Sequence, residues 1–313
     1  MSEPRIKLAH RAEAALVATL IALLRPLSPA AASRLGAAVA GFIGPFVPTS
    51  RVADINLRLA MPELDQPARR RIVKECWQNL GATMAELVRI GDIPEIPPGA
   101  PGPGYSVLGW DENVAPALAK GGPSIFIAGH IANWEILPQA AFSHGVDIGF
   151  MYRAASNKLV DDMLAKLREA NFRRRITMFP KGATGARGAY AHLLKGGHLA
   201  LLVDQKLDTG IEAPFFGHTA MTMDAMASFA LRFRCPVLPC YVERTAPARF
   251  NIICEAPLAL PDTGDKQAAL LTLTTTMNQT LERWIGAKPG AWLWLHRRWP
   301  KPLYREMRRG KAG

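Results

Sequence analysis

The sequence predicts an α/β fold, a mixed sheet flanked by helices, preceded by an all-helical N-terminal region with a membrane-associating segment. Three observations predict it. Strand-length apolar runs near 105 to 108, 124 to 128, 147 to 152, 198 to 203, 236 to 242 and 250 to 254 alternate with helical stretches near 111 to 120, 133 to 143, 157 to 170, 186 to 195 and 222 to 234. That alternation lays helices over a sheet. Residues 9 to 91 read as helix throughout, and within them two runs, 14 to 24 and 35 to 47, are almost wholly apolar.

The first run follows Arg5, Lys7 and Arg11, and the triplet Ala30-Ala31-Ala32 imitates a signal-peptidase site, so a cleaved signal is one reading of it. Neither run reaches the ~20 residues that span a bilayer as a straight helix. A helix or hairpin on a membrane surface, with Arg25 and Arg34 at the headgroups, is a second reading. Ordinary core helices would show the same periodicity. Pro67 and Gly91 bound a helix over 68 to 90, with Ile72, Val73, Cys76, Leu80, Met84, Leu87 and Val88 on one stripe. Residues 92 to 104, dense in proline and glycine, form a connector. The α/β core then runs over 105 to 300, its closing helix over 266 to 285, and 301 to 313 is a basic tail.

A chain of 313 residues can bury a sizeable core, and its net charge of +12 suits acidic partners. Half of that excess falls in residues 297 to 313, where Arg297, Arg298, Lys301, Arg305, Arg308, Arg309 and Lys311 face only Glu306. Such an end is either a solvated basic face or a patch for an anionic membrane. No zinc spacing, aromatic Gly-rich recognition stretch or basic heptad helix points to nucleic acid. Cys76, Cys235, Cys240 and Cys254 make no disulfide or zinc framework. Reduced core thiols suit the cytoplasm. Neither a Gly-x-Ser-x-Gly elbow nor a nucleotide-binding glycine pattern occurs, and no metal or cofactor is called for.

The most informative segment is Gly129-His130-Ile131-Ala132-Asn133-Trp134-Glu135. Residues five apart on a helix lie about 140° apart around its axis, so His130 and Glu135 meet only if His130 ends the preceding strand. Glu135 would then rise from the first helical turn, ionised near the amide dipoles, and orient the imidazole as a general base. A turn histidine beside a helix-start carboxylate is the plainer alternative. Asn133 reads as a cap and Trp134 as packing. Asp204 also follows an apolar run, and ligands gather at the carboxyl ends of strands in open α/β sheets, so the two could line one cleft. Arg153, Arg173 and Arg175 carry guanidinium forks that match phosphate or oxyanion geometry, or are surface charges.

The segment His130-Ile131-Ala132-Asn133-Trp134-Glu135 resembles the signature of the late acyltransferases of lipid A biosynthesis, lauroyl and myristoyl transferases of the lysophospholipid acyltransferase-like superfamily. Met151-Tyr152-Arg153, Leu201 to Gln205, Pro214-Phe215-Phe216-Gly217 with Thr222, and Trp294 to Pro300 continue the resemblance in order over roughly residues 50 to 300. It implies transfer of a fatty acyl chain from acyl carrier protein to a hydroxyl of a lipid A precursor, an anionic glycolipid, at the cytoplasmic face of the inner membrane. It also implies that His130 and Glu135 are catalytic and that Arg153, Asp204, Thr222 and one of Arg173, Arg174 and Arg175 serve substrate, with Asp204 paired to that arginine. The block from Pro214 would shape the acyl channel. Phe179-Pro180-Lys181-Gly182 resembles the phosphate block of glycerolipid acyltransferases, except that Lys181 stands where that block is acidic. Another acceptor lipid, an acyl-coenzyme A donor, or a non-catalytic membrane-binding protein on this scaffold are the alternatives.

Overall fold

The structure, a computed structural model, describes residues 8 to 309. Arg5, Lys7 and Lys311, charges expected at the two ends, lie outside the described residues. The chain opens with four helices, α1 (Leu8–Leu24), α2 (Pro29–Ile43), α3 (Ser50–Ala60) and α4 (Gln66–Leu87). Asp65 starts α4 by accepting the Ala68 amide, with Pro67 in the first turn where its missing N–H is no loss. The expected stripe on α4 is buried at Ile72, Val73, Cys76, Leu87 and Val88, while Met84 is 40% exposed. α3 and α4 share the core of the sheet that follows.

α2 crosses α4 with the two backbones touching. A Cβ at Gly36 would stand 2.2 Å from the Gly81 carbonyl oxygen, and one at Gly81 would stand 2.2 Å from that of Gly36. Only hydrogen fits at either position. The far side of α2 and most of α1 carry apolar residues outward: Leu16, Leu20 and Leu23, then Leu35, Val39 and Phe42, with Phe42 76% and Phe46 83% exposed. Among the described residues no single helix is long and apolar enough to cross a membrane; the pair Pro29–Phe46 and Ser50–Ala60 has the length and composition but is bent by 85°.

The rest is the predicted α/β body. Strands β1 (Gly104–Leu108), β2 (Ser124–Ala128), β3 (Ile148–Tyr152), β4 (Met178–Pro180) and β5 (His198–Leu202) are joined through helices α5 (Ala115–Leu118), α6 (Leu137–Ser143), α7 (Lys158–Phe172) and α8 (Ala183–Leu194). A hairpin, β6 (Lys206–Phe215) and β7 (His218–Thr222), precedes α9 (Ala225–Phe233), β8 (Val237–Ala246), β9 (Arg249–Cys254), α10 (Lys266–Ala287) and α11 (Lys301–Arg309). The main sheet is seven-stranded in the order β1-β9-β8-β2-β5-β3-β4. It is mixed because β8 and β9 pair antiparallel while the remaining pairs are parallel. β2 lies near the middle with all five residues buried, as an uninterrupted apolar strand in a two-sided sheet should.

The hairpin and the short β4 were not anticipated from the sequence. Phe215 and His218 pair across a two-residue turn whose residues, Phe216 and Gly217, have φ of 48° and 72°. Two positive φ values in succession match the right-handed twist of a hairpin, and a phenylalanine there hides the usual Asn-Gly signal. The hairpin seats on α10, where Asn278 donates to the Pro214 carbonyl at 2.8 Å and Glu282 accepts the Phe216 amide at 2.8 Å.

At the α2–α4 crossing, Gly81→Ala drives a methyl group into backbone that cannot swing aside. The expected loss is about 1–3 kcal/mol, read as a lower urea midpoint with an unchanged slope.

Candidate active site

The parallel register of β2 and β5 builds the site. Ser124 faces His198, Phe126 faces Ala200 and Ala128 faces Leu202, a constant offset along both strands. Two residues beyond the strand ends the same offset sets His130 beside Asp204. The Val203 amide continues the ladder to the Ala128 carbonyl at 2.9 Å. The Asp204 carboxylate then receives three donors: the His130 ring at Nδ1, 2.7 Å from Oδ1, and the His130 amide and Trp292 indole N–H, each 2.7 Å from Oδ2. Asp204 is fully buried. Burial alone would raise its pKa, but the adjacent His130 and these hydrogen bonds hold it well below the usual carboxylate range.

With Nδ1–H given to Asp204, the lone pair of His130 lies on Nε2, 3.4 Å from the side-chain nitrogen of Gln205. The imidazole is 14% exposed and meets Trp134 edge-on with ring centroids 5.0 Å apart. Its backbone is held as well, since Ile131 bridges to Trp292 and the Leu293 amide donates to the His130 carbonyl at 3.1 Å.

His130 opens on a cavity of about 320 Å³. Glu135 and Arg168 add polar wall, and apolar side chains such as Phe126, Ile148, Phe150, Phe172 and Ile252 supply much of the remainder. An apolar cleft of this size with a few convergent polar groups is the ordinary form of a small-molecule or chain-binding site.

The expectation that Glu135 orients the imidazole is corrected by this geometry. Glu135 lies on a 3-10 turn, Trp134–Ile136, and Arg168 occupies both of its oxygens, Nε at 2.8 Å and Nη2 at 2.7 Å. The carboxylate at the ring is Asp204, so Asp204 is not paired with an arginine either. Arg173, Arg174 and Arg175 are all exposed beyond the end of α7 and none lines the cavity. Arg174 instead pairs with Asp147 at 2.7 Å. The arginine that α7 sets into the wall is Arg168, which a phase count on that helix would have found: Asp161, Leu164, Arg168 and Phe172, all half-buried, line the cavity at spacings of three and four.

Thr222 and the Pro214 to Gly217 block also fall outside the cavity wall. Thr222 is buried and accepts from Arg298 Nη2 at 2.8 Å, in a network with Asn278. Arg153 does line the cavity, at an exposed position, as does Lys181, whose pKa is lowered by partial burial and by the charge of Arg153. Cys240 and Cys254, register partners on β8 and β9, contribute thiols to the wall with sulfurs 3.3 Å apart. Among the described residues no three His, Cys, Asp or Glu side chains converge as metal ligands.

His296 entered the sequence reading only as a member of the Trp294 to Pro300 block, with no role of its own. Its ring lies 6.4 Å from that of His130 and 5.4 Å from that of Trp292, and neither nitrogen has a hydrogen-bond partner. Burial pushes its pKa down to about 4.

The profile of the bacterial lipid A biosynthesis acyltransferases matches residues 2 to 301 of the chain. Among solved structures, it is similar to a 1-acyl-sn-glycerophosphate acyltransferase from Thermotoga maritima, with a TM-score of 0.33 and 11% identity over 81% of this chain and 95% of that one. No curated protein sequence matches it.

Between about pH 6.5 and pH 4 the unfolded chain protonates at His296 while the folded chain does not, so stability falls as pH falls through that window. The full effect is about 3 kcal/mol, and above pH 6.5 it is constant. Urea unfolding at pH 7, 6 and 5 should show this slope, and His296→Gln should flatten it.

Proposed function

The chain belongs to the bacterial lipid A biosynthesis acyltransferases, and on that premise we propose that it moves a fatty acyl chain from acyl carrier protein to a hydroxyl of a lipid A precursor. The observation that carries the proposal is the His130–Asp204 pair on the wall of an apolar cavity. An alcohol attacks a thioester poorly unless a base takes its proton as the new bond forms. His130 Nε2 is that base. Asp204 fixes the tautomer by accepting Nδ1–H, and its charge stabilises the imidazolium formed when the acceptor hydroxyl loses its proton. The alkoxide oxygen bonds to the thioester carbon, the carbon–sulfur bond breaks, and the imidazolium returns the proton to the departing thiolate. No covalent enzyme intermediate is required.

The cavity takes the acyl chain, since an apolar wall removes methylene groups from water. Arg168 brings positive charge to that wall for the developing oxyanion, held in place by its fork of hydrogen bonds to Glu135. Arg153 and Lys181 offer charge for anionic parts of donor or acceptor. The outward leucines of α1 and the outward Leu35, Val39 and Phe42 of α2 would rest in the lipid surface of the cytoplasmic leaflet, where the acceptor resides. A net charge of +12 favours that leaflet and an acidic carrier alike.

His130→Ala and Asp204→Asn should each lower turnover by about 10²–10⁴ with the fold intact. The measurement is mass spectrometry of the lipid product from a defined acyl carrier protein thioester and a lipid A precursor. Unchanged transfer by His130→Ala overturns the mechanism. Product formed from acyl-coenzyme A but not from the carrier thioester overturns the donor.

A further inference from the structure

The turn that carries His130 has an unfavourable backbone. Ala132, two residues on, sits at φ 48°, in the left-handed region that a residue with a Cβ enters at a cost of about 1–2 kcal/mol. Such a conformation persists only when its surroundings over-determine it. Here they do: Asp204 and the segment 291 to 293 hold the turn from one side, and one face of α4 holds the Ala132 carbonyl and Asn133 from the other.

Thr83 Oγ1 donates to the Ala132 carbonyl at 2.9 Å, and Asn79 Nδ2 donates to the same oxygen at 3.1 Å. Asn79 also reaches the Ala291 carbonyl at 3.1 Å, which itself accepts the Ala132 amide at 3.0 Å. One turn further along α4, Glu86 Oε2 accepts from Asn133 Nδ2 at 2.7 Å, and the Asn133 carbonyl oxygen Oδ1 accepts the Glu135 amide. Thr83, Glu86, Ala132 and Asn133 are fully buried, so no water replaces these bonds. Arg244 on β8 crosslinks the helical residues: it donates Nη1 to Glu86, Nη2 to Thr83 at 3.0 Å and Nε to Asn79 at 3.2 Å. Positions 79, 83 and 86 follow helical spacing, and Gly81 presses on α2 from the other side of the same helix.

We propose that Thr83, acting with Asn79 and Glu86, is a positioning residue for acyl transfer: it locks the left-handed Ala132 turn and so fixes the direction of His130. This rests on the catalytic assignment of His130. Released from Thr83, the turn drops toward ordinary φ, the Ala132 carbonyl swings, and the imidazole leaves its line to the acceptor hydroxyl. Attack geometry suffers while the cavity that binds the acyl chain is untouched, so the loss falls on kcat rather than KM.

The test compares full-length Thr83→Val, Thr83→Ser and His130→Ala with the parent, using a defined acyl carrier protein thioester and a lipid A precursor. Valine keeps the shape and removes the hydroxyl; serine keeps the hydroxyl. The expected result is a kcat about tenfold lower for Thr83→Val with KM within about twofold, and recovery of most of kcat in Thr83→Ser. Should Thr83→Val fail to fold, Asn79→Ala, at a half-buried position, is held to the same kcat and KM criteria. A kcat within twofold of the parent, a loss confined to KM, or a serine variant no better than valine overturns the proposal. Loss of transfer in His130→Ala beside full kcat in Thr83→Val overturns this proposal alone. Full transfer in His130→Ala overturns the catalytic assignment and this proposal with it.

Discussion

Everything at the site depends on one buried anion. Asp204 is enclosed at the end of β5 and remains charged because three N–H groups converge on it, two from His130 and one from Trp292. An isolated carboxylate at that depth would take a proton rather than stay ionised. The requirement runs both ways: the anion needs the imidazole close by, and the imidazole owes its tautomer to the anion. Trp292 belongs to the segment following α10, so the far end of the chain is tied to the same point. That segment also supplies His296, half-buried with both ring nitrogens enclosed and unbonded, and Arg298, buried with its charge spread over Thr222, Asn278 and the face of Phe215. The aromatic block near the C-terminus therefore packs beneath the site, with Trp292 bonded directly to its anion.

Local pattern made much of this architecture legible. β2 and β5 are short apolar runs, α4 and α10 have clear caps and stripes, and residues directly after β2 and β5 stood out because ligands collect at strand ends. The partner of His130 was not legible. Glu135 is five residues away and Asp204 is 74, and sequence reasoning favoured the neighbour. Parallel register between distant strands leaves no local trace, since any shift by two residues preserves the same alternation of faces.

The arginines illustrate a different limit. Arg173, Arg174 and Arg175 drew attention by clustering, yet a run of like charges past the end of a helix is where solvent is. Arg168 is a lone arginine in a stripe with Asp161, Leu164 and Phe172, and only helical phase singles it out. The hairpin of β6 and β7 was hidden for a conformational reason, because Phe216 takes a positive φ that glycine or asparagine usually announces.

The path of α4 bears on how the protein can be handled. An apolar N-terminus invites removal when a protein is prepared without detergent. Here the cut can fall no later than the start of α3: Asn56 on that helix binds the carbonyls of Trp294 and His296, and α4 behind it braces the turn next to His130. A cut that took away α2 would uncover the bare glycine seam where that helix lies on α4. The greasy helix α2 is thus no detachable tether but part of the scaffold on which the chemistry is mounted.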